Sequence, residues 1–229
     1  MKNKKILAVI PARSGSKGLK NKNILKLGGK FVIEYTINQA KKSKFINKIC
    51  VSTDSHNIKK IARKKNVWCE KLRPKKISGD KAKLYDALKF VLDNINFQPD
   101  IIIELHPTHV FRTSKLINEA INIFLKKNLD SLISVLEVKN TAHPDYIINL
   151  NNNLLNYKKS PTTFNRNYLS KKYQSSGIII ISTYKSFIKN KSMVGKKTYG
   201  YIVKNEIEKI DINNSLDFEF CKFLIKKND

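Results

Sequence analysis

The stretch Ala12-Arg13-Ser14-Gly15-Ser16-Lys17-Gly18, followed by Lys20-Asn21-Lys22-Asn23, concentrates groups that can hold phosphate. Two glycines allow tight backbone geometry, amides and serine hydroxyls can face phosphate oxygens, and Arg13 and Lys17 place positive charge beside them. Such a loop can cradle a triphosphate. No Gly-Lys-Ser/Thr closes it as in a P-loop, and it lacks the three spaced glycines of a dinucleotide site. A flexible basic surface loop is the alternative. The arginines add a second signal. Of 45 basic residues only five are arginine, namely Arg13, Arg63, Arg73, Arg112 and Arg166, and lysine cannot reproduce the planar two-pronged grip of a guanidinium on phosphate or carboxylate. His106 and His109, three apart, admit a transition-metal reading. Pro107 between them and the lack of a third nearby ligand favour a hydrogen-bonded or pocket-lining histidine instead.

These residues need a frame. The apolar run at 6–10 predicts a buried strand leading straight into the loop, and 32–42 follows with Ile33, Thr36, Ile37 and Ala40 at helical spacing. A second strand at 48–52 completes a βαβ unit. Residues 57–64 read as a helix, 67–69 as a short strand, 85–92 as a helix with its apolar positions on one face, and 101–105 as a strand ending at His106 and Pro107. Ser114 is the expected N-cap of a helix reaching Phe124, and 132–138 returns to the sheet. This alternation predicts an α/β fold with a doubly wound, mostly parallel sheet. Over about 141–172 the pattern weakens, and a turn-rich break at 149–153 between short apolar pieces predicts a hairpin or arm. Strands resume at 177–182 and 199–203, and Ser215 is expected to cap a last helix.

Composition bounds the partners. With 229 residues, 41% of them hydrophobic, the chain can bury one substantial core, and a single domain over 1–229 is expected. No apolar run approaches the roughly 18 residues of a membrane span, and Pro11 and Arg13 interrupt the first apolar run too early for an export signal. A cytoplasmic chain with no membrane partner is therefore expected. Cys50, Cys69 and Cys221 are odd in number and far apart, which predicts buried free thiols. The formal charge of +27 raises nucleic-acid binding as a possibility. Its lysines are spread along the whole chain without a basic tail or an RNA-binding signature, so no specific nucleic-acid partner is expected.

Ile10-Pro11-Ala12-Arg13-Ser14-Gly15-Ser16-Lys17-Gly18 with Lys22-Asn23 resembles the signature loop of the acylneuraminate cytidylyltransferases, the CMP-sialic acid synthetase family. Val51-Ser52-Thr53-Asp54, Leu72-Arg73-Pro74, Pro107-Thr108 with Arg112-Thr113, residues 131–135, Ser176-Gly177 and Ile210-Asp211-Ile212 match further segments in the same order. The resemblance covers almost the whole chain. It implies a Rossmann-like nucleotidyltransferase fold and transfer of CMP from CTP to an acidic nine-carbon sugar, sialic acid or a relative such as pseudaminic or legionaminic acid, with release of pyrophosphate. It also implies roles by position. Arg13, Ser14, Gly15, Ser16, Lys17 and Asn23 would meet the nucleotide, and Arg73 and Asp80 would lie near cytosine and ribose. His106, Thr108 and Ser176 would border the sugar, and Arg166 would reach toward phosphate or the sugar's acid. Lys17, Arg13 and Asp211 are the implied catalytic group, with Mg²⁺ as cofactor held by Asp211 and Asn213. For Asp211 a strand-end or helix-capping carboxylate is the alternative. A homodimer is implied, in which the arm of one subunit approaches the pocket of the other.

The chain departs from the family pattern in places. Asp-Ile-Asp is usual where Asp211-Ile212-Asn213 stands, so an amide replaces the second carboxylate and weaker metal binding is predicted. His106 takes the place of a glutamine, Ser176 of an asparagine and Ser14 of a frequent glycine, and Lys81-Ala82-Lys83-Leu84 lacks the usual serines and threonine. Two other readings stay open on these grounds, a relative with impaired catalysis and a basic nucleic-acid-binding protein.

Overall fold

The structure, a computed structural model, describes residues 4–138, 142–156 and 169–228. The first strand, β1 (Ile6–Pro11), is buried on both faces, which is why its sequence is a continuous apolar run rather than an alternating one. A small hairpin of β2 (Lys26–Leu27) and β3 (Lys30–Phe31) leads into α1 (Val32–Lys41), whose buried positions Ile33, Thr36, Ile37 and Ala40 are those of the predicted helical face. Then come β4 (Lys48–Ser52), α2 (His56–Lys64), α3 (Leu84–Asn94) and β5 (Ile101–Glu104). The expected strand at 67–69 is a single bridge between Trp68 and Cys50.

Both β4 and β5 pair with β1 in parallel, one on each side. Successive β1 side chains alternate between two cores. Ile6, Ala8 and Ile10 pack under α1, α2 and α4 (Ser114–Lys126), while Leu7 and Val9 pack against α3 and α5 (Tyr184–Asn190). Full burial of each such aliphatic side chain is worth roughly 1.5–3 kcal/mol, so this strand anchors both layers.

Beyond α4 the chain forms β6 (Ser131–Glu137), an exposed hairpin of β7 (Asn149–Asn151) and β8 (Leu154–Asn156), and the long β9 (Tyr173–Thr183). The hairpin turn places Asn152 and Asn153 at positive φ, a conformation asparagine tolerates. After α5 come β10 (Thr198–Ile202) and α6 (Ser215–Asn228). Sheet order is β10-β6-β9-β5-β1-β4. All strands run one way except β9, which is antiparallel to both β5 and β6. No α-helix lies in the described chain between β6 and β9, where Pro144–Tyr146 forms a single 3-10 turn, and without a helical crossover two neighbouring strands pair antiparallel.

Two caps lie one residue earlier than expected. Thr113, not Ser114, caps α4 by accepting from the Leu116 amide at 3.1 Å. Asn214, not Ser215, caps α6 by accepting from the Asp217 amide at 3.0 Å. The helix α5 and the β2–β3 hairpin were not expected from the sequence. Cys50, Cys69 and Cys221 are free and buried, and among the described residues no helix is long and apolar enough to cross a membrane.

Candidate active site

Because the chain passes from β1 to one side for β4 and to the other for β5, a crevice opens at their carboxyl ends, where open α/β sheets bind ligands. The loop leaving β1 is fastened there. Asp54, just past β4, accepts from the Ser14 amide at 2.8 Å and its hydroxyl at 2.7 Å. Buried Asn23 donates to the Arg13 carbonyl at 3.0 Å, leaving its own Oδ1 without a partner among the described residues. Gly18 is required by close approach, since a Cβ there would lie 2.3 Å from the Asn213 carbonyl oxygen. Gly15 has open space around it and no positive φ, so its freedom is not demanded.

A cavity of about 510 Å³ fills the crevice, within the size range of small-ligand sites. Arg13, Ser16, Lys17, Asn23, Arg73, Asp80, His106, Thr108 and Asn213 all line it. Ser14 and Gly15 border an adjoining pocket with Asp54 and Asp80. Five cationic side chains, Arg13, Lys17, Lys22, Arg73 and Lys83, converge on the main cavity. Asp80 holds two of them, its carboxylate bonding Arg13 Nη1 at 2.6 Å and Lys17 Nζ at 2.8 Å, and these two bonds draw its pKa below the usual carboxylate value. Burial lowers the pKa of Arg73, with Asp54 opposing it, and the Arg73 Nε donates to the Ser78 hydroxyl at 3.1 Å. Lys22 is lowered by burial as well and donates to the Ile212 carbonyl at 3.1 Å.

Asp211 is not among the residues that line the cavity, although Asn213 two positions on is. A small apolar cluster of Leu27, Val32, Val110, Ile212, Phe218 and Cys221 fixes the segment 211–213 by burying Ile212 between the two polar residues. Burial disfavours the Asp211 carboxylate, but the His109 charge interaction, the Thr108 and Asn213 hydrogen bonds and Lys22 outweigh it, and its pKa lies below the usual value. Asn213 Nδ2 donates to Asp211 Oδ2 at 3.0 Å, while Asp211 Oδ1 is buried with no hydrogen-bond partner among the described residues. Helix capping is done by Asn214 and Asp217, so the capping alternative for Asp211 does not hold.

Ser176 does not line the cavity. Its hydroxyl turns to β6, donating to the Ser134 carbonyl at 3.1 Å and meeting the Ser134 hydroxyl at 2.8 Å. Arg166 lies outside the described residues. His109 is fully enclosed, its Nε2 3.0 Å from the Ser176 carbonyl and its Nδ1 3.3 Å from that of Ile210. Burial lowers its pKa despite the opposing Asp211 charge, so the ring is neutral. Arg112 is a strut rather than an anion-binder. Completely buried, it donates to the carbonyls of Ile178 at 2.6 Å and His106 at 3.0 Å and to the Thr36 hydroxyl at 2.5 Å, and burial pulls its pKa down to about 9.

Sequence reasoning missed Lys22, Lys83 and Glu104. Lys22 stood inside the quoted loop motif. Glu104 was signalled by a lone acid ending the run Ile101-Ile102-Ile103, two residues from His106 and so on the same strand face.

A model of the family described as cytidylyltransferase matches residues 7–223. The N-acylneuraminate cytidylyltransferase of Escherichia coli O18:K1:H7 is 33% identical over 98% of this chain and 53% of its own length, so the chain spans about half of that relative. The CMP-N,N'-diacetyllegionaminic acid synthase of Legionella pneumophila is 32% identical over 98% of this chain and 97% of that one. In fold, a solved CMP:2-keto-3-deoxy-manno-octonic acid synthetase complexed with CTP superposes with a TM-score of 0.71 at 16% identity, covering 98% of this chain and 100% of that one. With its ordered motifs, its cation-lined crevice, a family match over residues 7–223 and a 32% identical relative matched along nearly all of its length, this chain belongs to the cytidylyltransferase family.

Proposed function

We propose that the protein transfers CMP from CTP to an acidic nine-carbon sugar of the sialic, legionaminic or pseudaminic acid class, releasing pyrophosphate. The observation that carries this reading is the convergence of five cationic side chains on one cavity at the carboxyl edge of the sheet. The sugar's anomeric hydroxyl would attack the α-phosphorus in line while pyrophosphate leaves, so charge builds on the equatorial and departing oxygens. Arg13 and Lys17, each bonded to one oxygen of the Asp80 carboxylate, are positioned to take those phosphate oxygens instead of Asp80. Ser14, Gly15, Ser16 and Asn23 would hold the triphosphate and Arg73 and Asp80 the nucleoside side. His106, Thr108 and Arg166 would face the sugar, with Ser176 acting through its carbonyl on His109.

The residues fit Mg²⁺. Asp211 offers a buried carboxylate oxygen without a partner and Asn213 an amide beside it. An Mg²⁺ ion held by these two side chains would draw its other ligands from phosphates and water. Bound there, Mg²⁺ would neutralise charge on the phosphate oxygens. Asn213→Asp should lower the half-saturating Mg²⁺ concentration, measured by initial rates across a magnesium series; an unmoved value would remove position 213 from the ligand set. The protein is proposed to act in the cytoplasm as a homodimer, joined through the arm that carries the β7–β8 hairpin.

The decisive assay incubates the protein with CTP, Mg²⁺ and each of the three sugar acids and follows pyrophosphate. Release with one of them is expected. None above background with any would overturn the reading.

A further inference from the structure

Glu104 is fully buried at the end of β5, its Oε2 has no partner and its Oε1 bonds only to His106 Nε2 among the described residues. A buried carboxylate is costly even when paired, and an apolar residue would serve the sheet as well. The use of the pair therefore lies with the ring it holds. His106 forms part of the cavity wall. Its ring rests on Gly177, where a left-handed backbone at φ +69° and the missing Cβ make the space; a Cβ there would come within 2.7 Å of His106 Nδ1. The two ring nitrogens are divided. Nε2 is clamped by the carboxylate, which favours the tautomer with its proton on Nε2, and Nδ1 has no hydrogen-bond partner among the described residues.

We infer that His106 is the general base that takes the proton of the sugar's anomeric hydroxyl, and that Glu104 is the positioning residue that orients the ring and balances the charge it gains. This rests on the cytidylyltransferase function proposed above. In the step, the hydroxyl proton passes to Nδ1 as the oxygen's electron pair forms a bond to the α-phosphorus of CTP. The bond from that phosphorus to the bridging oxygen breaks, and pyrophosphate leaves with the pair. The imidazolium, paired with Glu104, then returns its proton to solvent.

The groups around the ring set its strength as a base. Burial and the charge of Arg112, which also donates to the His106 carbonyl, oppose protonation. The hydrogen bond and charge of Glu104 and the more distant Asp211 favour it, and His109 close by is neutral. The balance lies above the ordinary histidine value, so kcat should fall on the acid side of that raised value as the base becomes protonated.

The test compares wild type, H106Q, H106A and E104Q with CTP, Mg²⁺ and whichever of the three sugar acids the wild type uses. Glutamine, the residue usual at this position in the family, can form hydrogen bonds there but cannot take a proton, so H106Q asks whether this chain depends on a base that its relatives do without. H106Q should lose about 100-fold or more in kcat, with the sugar KM moving less than about threefold and CTP affinity by calorimetry unchanged. Added imidazole should restore part of the H106A rate, and E104Q should shift the acid limb of the pH profile to lower pH. A kcat within about tenfold of wild type in H106Q, or a loss confined to the sugar KM, would overturn the assignment and make His106 a grip on the sugar. If the wild type itself turns over none of the sugar acids, the proposed function falls first and this inference with it.

Discussion

Lys17 shows how a single residue can separate function from stability. Its side chain is 83% exposed and pairs with the Asp80 carboxylate, so Lys17→Ala removes little packing. Thermal unfolding should stay where it is while kcat drops about 100-fold or more, followed by pyrophosphate release. A loss under about tenfold would count against contact with the transferring phosphates. His109 gives the opposite case, a buried ring whose effect is on stability. Its folded pKa is lowered, so between the ordinary value near 6.5 and that lower one the unfolded chain holds a proton the folded chain does not. Stability therefore falls as pH falls through that window. His109→Gln should lose Tm less steeply than wild type between about pH 6.5 and 5; parallel curves would mean the ring is not held neutral.

At the scale of elements, Arg112 joins three parts of the fold, reaching β9 at Ile178, α1 at Thr36 and the end of β5 at His106. Arg112→Met keeps bulk but strands these acceptors, and should cost about 3 kcal/mol or more in urea unfolding. A cost below about 1 kcal/mol would show that the carbonyls find other donors. Much of this frame was legible in the sequence. The 33, 36, 37, 40 spacing of α1 and the unbroken apolar run of β1 follow directly from which faces are buried. The start of β9 was not legible, because Tyr173 to Ser175 are polar or exposed and pair only through their backbone with β6. The loop cations could be read from their types and spacing. The destination of Arg112 could not, since a guanidinium suits carbonyls as well as phosphates, and only the fold decides which it meets. Ser176 was placed by motif, yet its hydroxyl is claimed by Ser134, a partner 42 residues away that no local pattern reveals.

At the scale of the molecule, the lysine surplus behind the +27 charge is dispersed, while apolar exposure gathers in two places, on α6 at Leu216, Phe220 and Phe223 and on the arm. Ile147, Leu150, Leu154 and Leu155 are all more than half exposed there, a grouping typical of an interface. Light scattering after size exclusion should give a dimer for wild type and a monomer for the double variant Leu150→Asp, Leu154→Asp, with each still binding CTP. A monomeric wild type at about 50 μM, a concentration at which a micromolar contact would be filled, removes the arm as a subunit joint.

The reversed direction of β9 has one more effect. Glu137, the last residue of β6, pairs with Tyr173, the first of β9, and Val138 donates to the Lys172 carbonyl at 2.8 Å. The insertion between them thus leaves and re-enters the sheet at the rim from which the β1 loop also springs. If the insertion joins two subunits as proposed, that joint is tethered at the rim where the cleft opens.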